Sequence, residues 1–454
     1  MTVCLISTVA NAELTPPSAE IGYMSGASVL GKDFTRSPFY VQPGWQYSFQ
    51  GSNGSDGSSN AASPGTWETQ LKFRAQINTQ KILNKSGANS LSNDPASLDF
   101  SIRALSLSYT QGIVKITGGF QEIPWGETFG FPILDIINPR DYRDPLLLDP
   151  YWVRLPVASL NTQVFLDRVT VQAVFTPLPR NNYYPTPGSS FDPTRGIMGV
   201  TLSDQANANL GQIGFSSEWG GKISRLFENG LDVGLVYYHH WNRNPIYTLS
   251  GGVSPGAATG GSSALSTATL GADPTTLSID GSIPTFTLSP SVSKVDTVGG
   301  TLSYSLDRWV IRADQAYHIG QPLPGASLGS VETGNQWQSV VGTDYTSDDE
   351  WTVGLQFQTT LNTIPSENRF SKWFSTRILK RMWNGKLEPE LFFFAGIGNP
   401  DLWLQPKLTW NFSDAWSASL RADWIRYIGG GPADGYLWGV RDQSRFLLWL
   451  TWRV

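Results

Sequence analysis

The segment Trp67-Glu-Thr-Gln-Leu-Lys-Phe-Arg-Ala-Gln-Ile-Asn78 alternates strictly between two kinds of side chain. Its odd positions carry Trp, Thr, Leu, Phe, Ala and Ile, whereas its even positions carry Glu, Gln, Lys, Arg, Gln and Asn. A period of two over the whole segment predicts a β-strand with one apolar and one strongly polar face. The segment is also as long as the roughly ten residues that a tilted strand needs to cross a lipid bilayer.

Four later segments alternate in the same way, namely 308–318, 351–361, 402–412 and 416–427. Trp and Tyr lie near the ends of their apolar faces, with aliphatic residues between. Their polar faces carry mostly Gln, Ser, Thr and Asn, where a soluble sandwich or propeller would expose many Lys and Glu. Because aromatic girdles around an apolar band are typical of outer-membrane barrels, the pattern favours a membrane barrel over a soluble all-β fold.

The composition agrees with a strand-built membrane protein. Of 454 residues only 15% are charged, 12% are aromatic and 46 are Gly. The mean hydropathy is -0.19, and the sequence contains no run of roughly 18 apolar residues, so a helical membrane protein is excluded. The 32 Lys and Arg residues are spread along the chain, which disfavours nucleic acid as a partner.

The sequence predicts an antiparallel up-and-down transmembrane barrel of about fourteen strands, within a range of 12 to 18. The predicted strands lie at 67–80, 99–109, 113–122, 156–166, 168–176, 212–219, 231–241, 296–306, 308–318, 351–361, 386–397, 402–412, 416–427 and 445–454. Short links alternate with long ones, as expected for periplasmic turns and extracellular loops. Helical spacing over 370–383 predicts a short basic amphipathic helix, with another strand as the alternative.

The N-terminal part does not alternate clearly. Residues 1–12 end in Ala10-Asn11-Ala12 and predict a signal peptide. Because a basic start is missing, either this signal peptide is truncated or the segment is not a signal. Its removal takes away Cys4, the one cysteine of the chain. Residues 13–66 form a plug, a periplasmic arm or one more hairpin, before a barrel over 67–454. The Gly-rich and Ser-rich stretch 242–295 predicts a surface loop.

The link 120–160 concentrates charge in a chain that has little of it. A link this long, with charges beside apolar residues, predicts a segment folded into the barrel mouth as a constriction. The alternative is a structured loop that its own Arg–Asp pairs hold in place. The candidate constriction residues are Trp125, Glu127, Asp135, Asn138, Arg140, Asp141 and Arg143. The spacing of its carboxylates matches no EF-hand loop, so no metal site is predicted.

Strand parity also predicts which charged side chains line the lumen. These are Glu68, Lys72, Arg74, Arg312, Asp314, Lys407, Arg421 and Asp423. A lumen with both signs of charge predicts weak charge selectivity. His239, His240 and His318 form no catalytic or metal-binding motif, so neither an enzyme nor a cofactor is expected.

The residues Gly119 to Glu127, followed by Asp135-Ile-Ile-Asn-Pro-Arg-Asp141, resemble a pattern of Gln, Trp-Gly-Glu and Asn-Pro-Arg-Asp. This pattern occurs in a large family of porin-like Gram-negative outer-membrane proteins known only as a domain of unknown function. Ile311-Arg-Ala-Asp-Gln-Ala-Tyr317 is similar to a strand of that family, with Asp314 in place of Glu. The resemblance covers 113–160 and 296–324. It implies an outer-membrane channel for apolar or organic solutes, without a catalytic residue.

We therefore expect a pore for passive passage of small solutes, located in the outer membrane of a Gram-negative bacterium. A gated transporter of hydrophobic or lipid-like compounds is one alternative, and a barrel-anchored surface or adhesion protein is another. The expected partners are outer-membrane lipid, lipopolysaccharide, the barrel-assembly machinery and a small-molecule solute. The oligomeric state stays open.

Overall fold

The computed structural model describes most of the chain after residue 10. The described ranges are 11–14, 18–28, 34–36, 38–50, 65–78, 98–128, 132–147, 149–184, 191, 200–202, 217–243, 246–252, 285–325, 330–366, 368–398, 401–427, 437 and 440–453. Residues 1–10 lie outside them, so the signal peptide stays a prediction.

The described residues form strands and one short helix, Pro150–Val153. The strands are β1 (Asn11–Leu14), β2 (Ser18–Ser28), β3 (Phe34–Arg36), β4 (Pro38–Gln50), β5 (Thr66–Asn78), β6 (Leu98–Gln111), β7 (Val114–Gln121), β8 (Val157–Leu166), β9 (Val169–Thr176), β10 (Val200–Leu202), β11 (Glu218–Leu226), β12 (Leu231–Trp241), β13 (Ile246–Gly252), β14 (Thr285–Ser291), β15 (Lys294–Leu306), β16 (Trp309–Pro324), β17 (Val331–Thr346), β18 (Trp351–Thr363), β19 (Asn368–Lys380), β20 (Leu387–Gly396), β21 (Asp401–Asn411), β22 (Trp416–Tyr427) and β23 (Arg445–Arg453). In these ranges no helix is long and apolar enough to cross a membrane.

Eighteen of the described strands form one closed antiparallel barrel. The ring runs β2, β4, β5, β6, β7, β8, β9, β11, β12, β15, β16, β17, β18, β19, β20, β21, β22 and β23. It closes where β23 pairs with β2, with Leu450 opposite Tyr23. The short strands β1 and β3 pair with β4 and β2, and β10, β13 and β14 form a separate small sheet.

The predicted count of fourteen strands is wrong, because four wall strands were missed. Two of them, β2 and β4, lie in the segment 13–66, so the wall begins before residue 67. The third is β17, whose outward face mixes Trp337 and Val341 with Thr333, Asn335 and Ser339. Such a face hides the period of two. Strands β13 and β14 also lie within 242–295, where a loop was predicted.

The fourth missed strand is β19, where a helix was predicted over 370–383. Here Phe370 and Phe374 face outward opposite Leu361 and Phe357 of β18. Trp373 faces the interior and packs against a buried apolar cluster there. The helix prediction is therefore wrong because both faces of this strand carry aromatic residues, which imitate helical spacing.

Two missed strands precede β5 and the other two flank β18, so the predicted direction of β18 is reversed and the strands from β5 to β16 and from β20 onward keep their predicted directions. We call the ends the short-turn end, with turns at 112–113, 167–168, 307–308 and 347–350, and the long-link end. In two of the turns Asp167 and Asp307 adopt φ of 50° and 51°, within the same Leu-Asp-Arg sequence. Asp tolerates this left-handed conformation better than most residues.

Outward-facing aromatic residues form two belts. Near the short-turn end the rings of Trp309 and Tyr345 are 4.7 Å apart, and eight residues further along the same strands Tyr317 and Trp337 are 5.7 Å apart. Eight residues rise about 27 Å along a strand, or roughly 20 Å across the membrane at the usual tilt. Between the belts the wall exposes apolar side chains such as Val341. The spacing suits the apolar band of a membrane barrel.

Candidate functional site

Residues 122–156, here called the interior loop, leave the wall after β7 and return to it at β8. Apolar side chains of the loop pack against inward-facing residues all around the ring. Ile137 joins a cluster with Val174 and Tyr238, and Leu134 joins one with Ala316 and Val340. Leu147 and Leu146 join clusters on the opposite side of the barrel, near β23 and β20. The loop therefore crosses the lumen, as the sequence predicted for 120–160.

Asn138 ties the two ends of the interior loop together. Its Oδ1 accepts a hydrogen bond from the Ile123 amide at 2.6 Å. Its Nδ2 donates to the carbonyls of Gln121 at 3.2 Å and Leu155 at 2.9 Å. The side chain is buried, so these backbone groups rely on it in place of water.

The first part of the loop is anchored to β9 and β11. The buried Trp125 donates its indole N–H to Gln172 Oε1 at 2.9 Å. Lys222 donates to the Trp125 carbonyl at 3.1 Å and to Glu127 Oε1 at 3.2 Å. Both predicted constriction residues thus bind the wall, and Lys222 was not predicted.

A second anchor is Asp314 of β16, which was predicted to line the lumen. Its carboxylate accepts from the amides of Glu127 and Thr128 at 3.1 and 3.3 Å and from Thr128 Oγ1 at 2.8 Å. Asp314 faces inward as strand parity requires, but it is 0% exposed. It therefore holds the loop and does not face an open passage.

The third anchor is a chain of buried charges formed by Asp144, Arg445, Asp423 and Arg421. Arg445 donates two bonds of 2.9 Å to the Asp144 carboxylate and one of 2.8 Å to Asp423. Arg421 binds Asp423 at 2.9 Å and the Leu146 carbonyl at 3.2 Å. Asp423 and Arg421 were predicted from strand parity. Arg445 was not predicted to line the lumen, although it lies on the same face of β23 as Leu447 and Trp449.

The short helix Pro150–Val153 rests on the cations of β5 and β6. Asp149 caps the helix by accepting from the Tyr151 amide at 3.0 Å. Arg74 and Arg103 each donate to the Tyr151 carbonyl at 3.1 Å. The Arg74 guanidinium also lies 4.3 Å from the centre of the Trp152 ring, a cation–π distance.

Further ion pairs lie within the loop. Asp135 Oδ2 accepts from Arg154 at 2.8 Å and from Arg140 at 3.2 Å. Arg143 binds Asp141 at 2.6 Å. These pairs hold the loop together, as the alternative interpretation of its charges proposed, while the loop also crosses the lumen.

Glu122 lies at the start of the loop and binds Arg103 at 3.0 Å. Burial raises its pKa above the usual range, and the Arg103 and Arg154 guanidinium groups act in the opposite direction. Burial likewise raises the pKa of Tyr151. The loop therefore holds a carboxyl that protonates at higher pH than an exposed Glu.

A cavity inside the barrel, here called the main cavity, has a volume of about 810 Å³. It lies between the interior loop and the short-turn end, because Tyr151 and Asp135 line it on one side and Asn411 and Ser417 on the other. Five cations line it, namely Arg154, Arg377, Lys407, Arg421 and Arg453. Five anions line it as well, namely Glu20, Asp135, Asp149, Glu388 and Glu390.

A second cavity of about 220 Å³ lies on the long-link side of the loop. Its lining is rich in amides, including Gln336, Gln338 and Gln358, and also carries the charged residues Asp135, Arg140 and Arg243. Pro132 and Asp135 line this cavity and the main cavity alike. These two residues therefore separate the two cavities.

The remaining predicted lumen residues also face inward and are paired. Glu68 binds Lys115 at 2.9 Å, and Lys407 lies 3.7 Å from Glu390. Arg312 forms an ion pair with Asp344 of β17. Lys72 lies 5.1 Å from the centre of the Tyr151 ring. Arg377 was missed because its strand β19 was not predicted. Glu390 was missed because the inward face of its predicted strand was not examined for charged residues.

Solved porins of Gram-negative outer membranes are similar to this chain in structure. OccAB1 of Acinetobacter baumannii matches with a TM-score of 0.53 at 9% sequence identity, over 99% of this chain and 98% of that chain. OccK8 (OprE) of Pseudomonas aeruginosa matches with a TM-score of 0.51 at 8% identity, over 98% and 99%. No protein-family model and no curated protein matches the sequence. The chain has a porin-like fold.

Proposed function

We propose that the protein is an outer-membrane pore through which small polar solutes pass passively, and that it performs no catalysis. The observation that carries the proposal is the interior loop, which crosses an 18-stranded barrel and leaves the main cavity of about 810 Å³ beneath it. A loop that narrows a barrel without filling it sets the size of the solutes that pass. The likeness in fold to porins supports this function.

The proposed location is the outer membrane of a Gram-negative bacterium, with the short-turn end in the periplasm. Two aromatic belts and the apolar band between them support contact with lipid and lipopolysaccharide. Assembly by the barrel-assembly machinery belongs to the same proposal. So does membership of the porin-like family with the Trp-Gly-Glu and Asn-Pro-Arg-Asp pattern, which Trp125 to Glu127 and Asn138 to Asp141 support.

We further propose that the passage discriminates weakly between cations and anions. The main cavity carries equal numbers of acidic and basic side chains. The Asp149 carboxylate on the loop interacts electrostatically with Arg377 on the wall, so the two signs face each other across the cavity. Such an arrangement orients dipolar solutes and has little net effect on ions. Solutes would pass from the amide-lined cavity to the main cavity beside Pro132 and Asp135.

Single-channel recording in planar bilayers under a salt gradient tests the proposal. We expect discrete conductance steps and a reversal potential close to zero for wild type. Replacing Lys407 with Gln removes a cation from the main cavity and should shift the reversal potential toward cation preference. A unit charge acts on an ion 4 Å away with about 1 kcal/mol in water. This corresponds to roughly a fivefold change in local ion concentration.

Lys380→Gln is the matched control, because Lys380 lies on the outward face of β19, 5.2 Å from the Trp351 ring centre. It removes the same charge and should leave the reversal potential unchanged. A barrel that inserts but shows no steps and no solute-driven vesicle swelling would contradict the pore and favour the surface-adhesion alternative. Equal shifts in both variants would contradict the assignment of Lys407 to the passage.

A further inference from the structure

A third cavity, of about 270 Å³, lies apart from the main cavity, and four arginines line it. They are Arg74, Arg103, Arg143 and Arg180. The first two are buried, with 5% and 6% of their surface exposed. We call this cavity the arginine pocket. Burying several guanidinium groups together is costly unless anionic groups compensate them.

The carboxylates of the arginine pocket do not match its cations. Asp99 and Asp141 line it, and Arg143 binds both, at 3.0 and 2.6 Å. Arg103 pairs with Glu122 at its edge. Arg180 donates to the hydroxyl of Tyr183, and among the described residues no carboxylate lies within ion-pair distance of it. Of the described residues that line the pocket, four are arginines and two are aspartates, a balance that suits an anionic ligand.

The wall beside the pocket is notched. Strand β6 pairs with β5 from Leu98 onward, but with β7 only from Leu105 onward, opposite Phe120. Among the described residues, β6 before Leu105 therefore has no strand on its second side. Phe100, Ile102 and Phe120 line the pocket at this notch. Phe100 is 63% exposed on the lipid-facing side and stacks on Phe73 at 5.4 Å.

We propose that the arginine pocket binds an anionic amphiphile from the outer leaflet, with a carboxylate or phosphate head on the arginines. The apolar body would lie along Phe100, Ile102 and Phe120, through the notch. Trp152 lines both this pocket and the main cavity, so it separates a bound amphiphile from the lumen. This binding does not depend on whether the barrel conducts.

Isothermal titration calorimetry of the full chain in phosphatidylcholine nanodiscs tests the proposal, with empty nanodiscs to subtract partitioning. Sodium decanoate should bind saturably. Decanol, which lacks the charge, and inorganic phosphate, which lacks the apolar body, should each bind at least tenfold more weakly. Equal binding of decanol would overturn the role of the arginines. Equal binding of phosphate would overturn the role of the apolar notch.

Arg180→Gln should weaken decanoate binding at least tenfold, whereas Arg308→Gln, at an exposed pair with Asp348 on the short-turn end, should not change it. Unchanged affinity in Arg180→Gln would overturn the proposal. Phe100→Asn, on the outward face, should weaken binding without disturbing the interior, and it serves if the arginine variant does not fold. Phosphatidylglycerol in the nanodiscs distinguishes the sources of the head group. Competition with decanoate assigns the pocket to a lipid headgroup, and its absence to a free amphiphile.

Discussion

Replacing Arg445 with Met should release one side of the interior loop. The side chain is 0% exposed and joins Asp144 of the loop to Asp423 of the wall through three bonds of 2.8 to 2.9 Å. Since all three side chains are buried, solvent does not screen the interaction between their charges. Removing one partner of a buried ion pair costs about 3–5 kcal/mol because it leaves uncompensated charge. The hydrogen bonds of the wall remain, so the cost falls on loop docking.

Two measurements in the same preparation check this prediction. Urea unfolding in nonionic detergent, followed by tryptophan fluorescence, should show a lower midpoint for Arg445→Met. Single-channel recording should show a larger and noisier conductance, because a loss of about 4 kcal/mol raises the undocked fraction by roughly a thousandfold. Arg168→Met is the control, since its pair with Glu228 has side chains 47% and 80% exposed. Exposed pairs of this kind contribute about 0–1 kcal/mol.

The double variant Asp144→Asn with Arg445→Met separates charge from packing. Removing both charges leaves no buried carboxylate in place of the pair, so part of the lost stability should return. The anchoring role of this pair would be refuted if Arg445→Met had the same urea midpoint and the same conductance as wild type and Arg168→Met. The charge argument would be refuted if the double variant lost more unfolding free energy than the two single variants together.

Three further predictions concern the loop. As the pH is lowered, the reversal potential should shift toward anion preference before ordinary carboxyls titrate, because Glu122, whose pKa is raised, loses its negative charge first. A Glu122→Gln variant with the same pH profile as wild type would contradict this. Gly299→Val should cost about 1–3 kcal/mol in urea unfolding, since a Cβ there would lie 2.5 Å from Leu134, while the open neighbour Gly300→Val should cost much less. Asn138→Ala should cost about 1–3 kcal/mol by the same assay, as it leaves the Ile123 amide without its acceptor; no loss would show that water replaces the side chain.

The fold could be predicted where one face of a strand is apolar and the other is polar. Strand β5 carries only polar side chains on its inward face, so its period of two was read directly, although the interior loop covers Arg74. Strand β19 does not satisfy it, because Trp373 packs against buried residues inside the barrel and both faces are apolar. The count failed at β19 for this reason, and at β17 because polar residues such as Asn335 and Ser339 interrupt its outward face.

The sequence predicted which segment and which charged residues lie inside the barrel, but not which residues form hydrogen bonds and ion pairs with each other. The unusual charge of 120–160 indicated a segment folded inward, and strand parity placed Asp314 and Asp423 on the inner face. The sequence could not show that Thr128 would cover Asp314, because the two residues are 186 positions apart. Arg445 lies opposite Asp423 on the next strand, and the long link between these strands hid that register. Whether an inward-facing charge is buried depends on where the interior loop packs, and the alternation of residues within one strand gives no information about that.

The distribution of anchors bears on whether the interior loop opens during transport. Asp314, Asp144 and Asn138 hold it through buried hydrogen bonds at three separate places. Displacing the whole loop would break all of these at once, and one buried ion pair alone costs about 3–5 kcal/mol to disrupt. A plug that moves in each transport event needs a far weaker attachment. Selection of solutes is therefore expected to occur in the fixed cavities on either side of Asp135, with the loop in place.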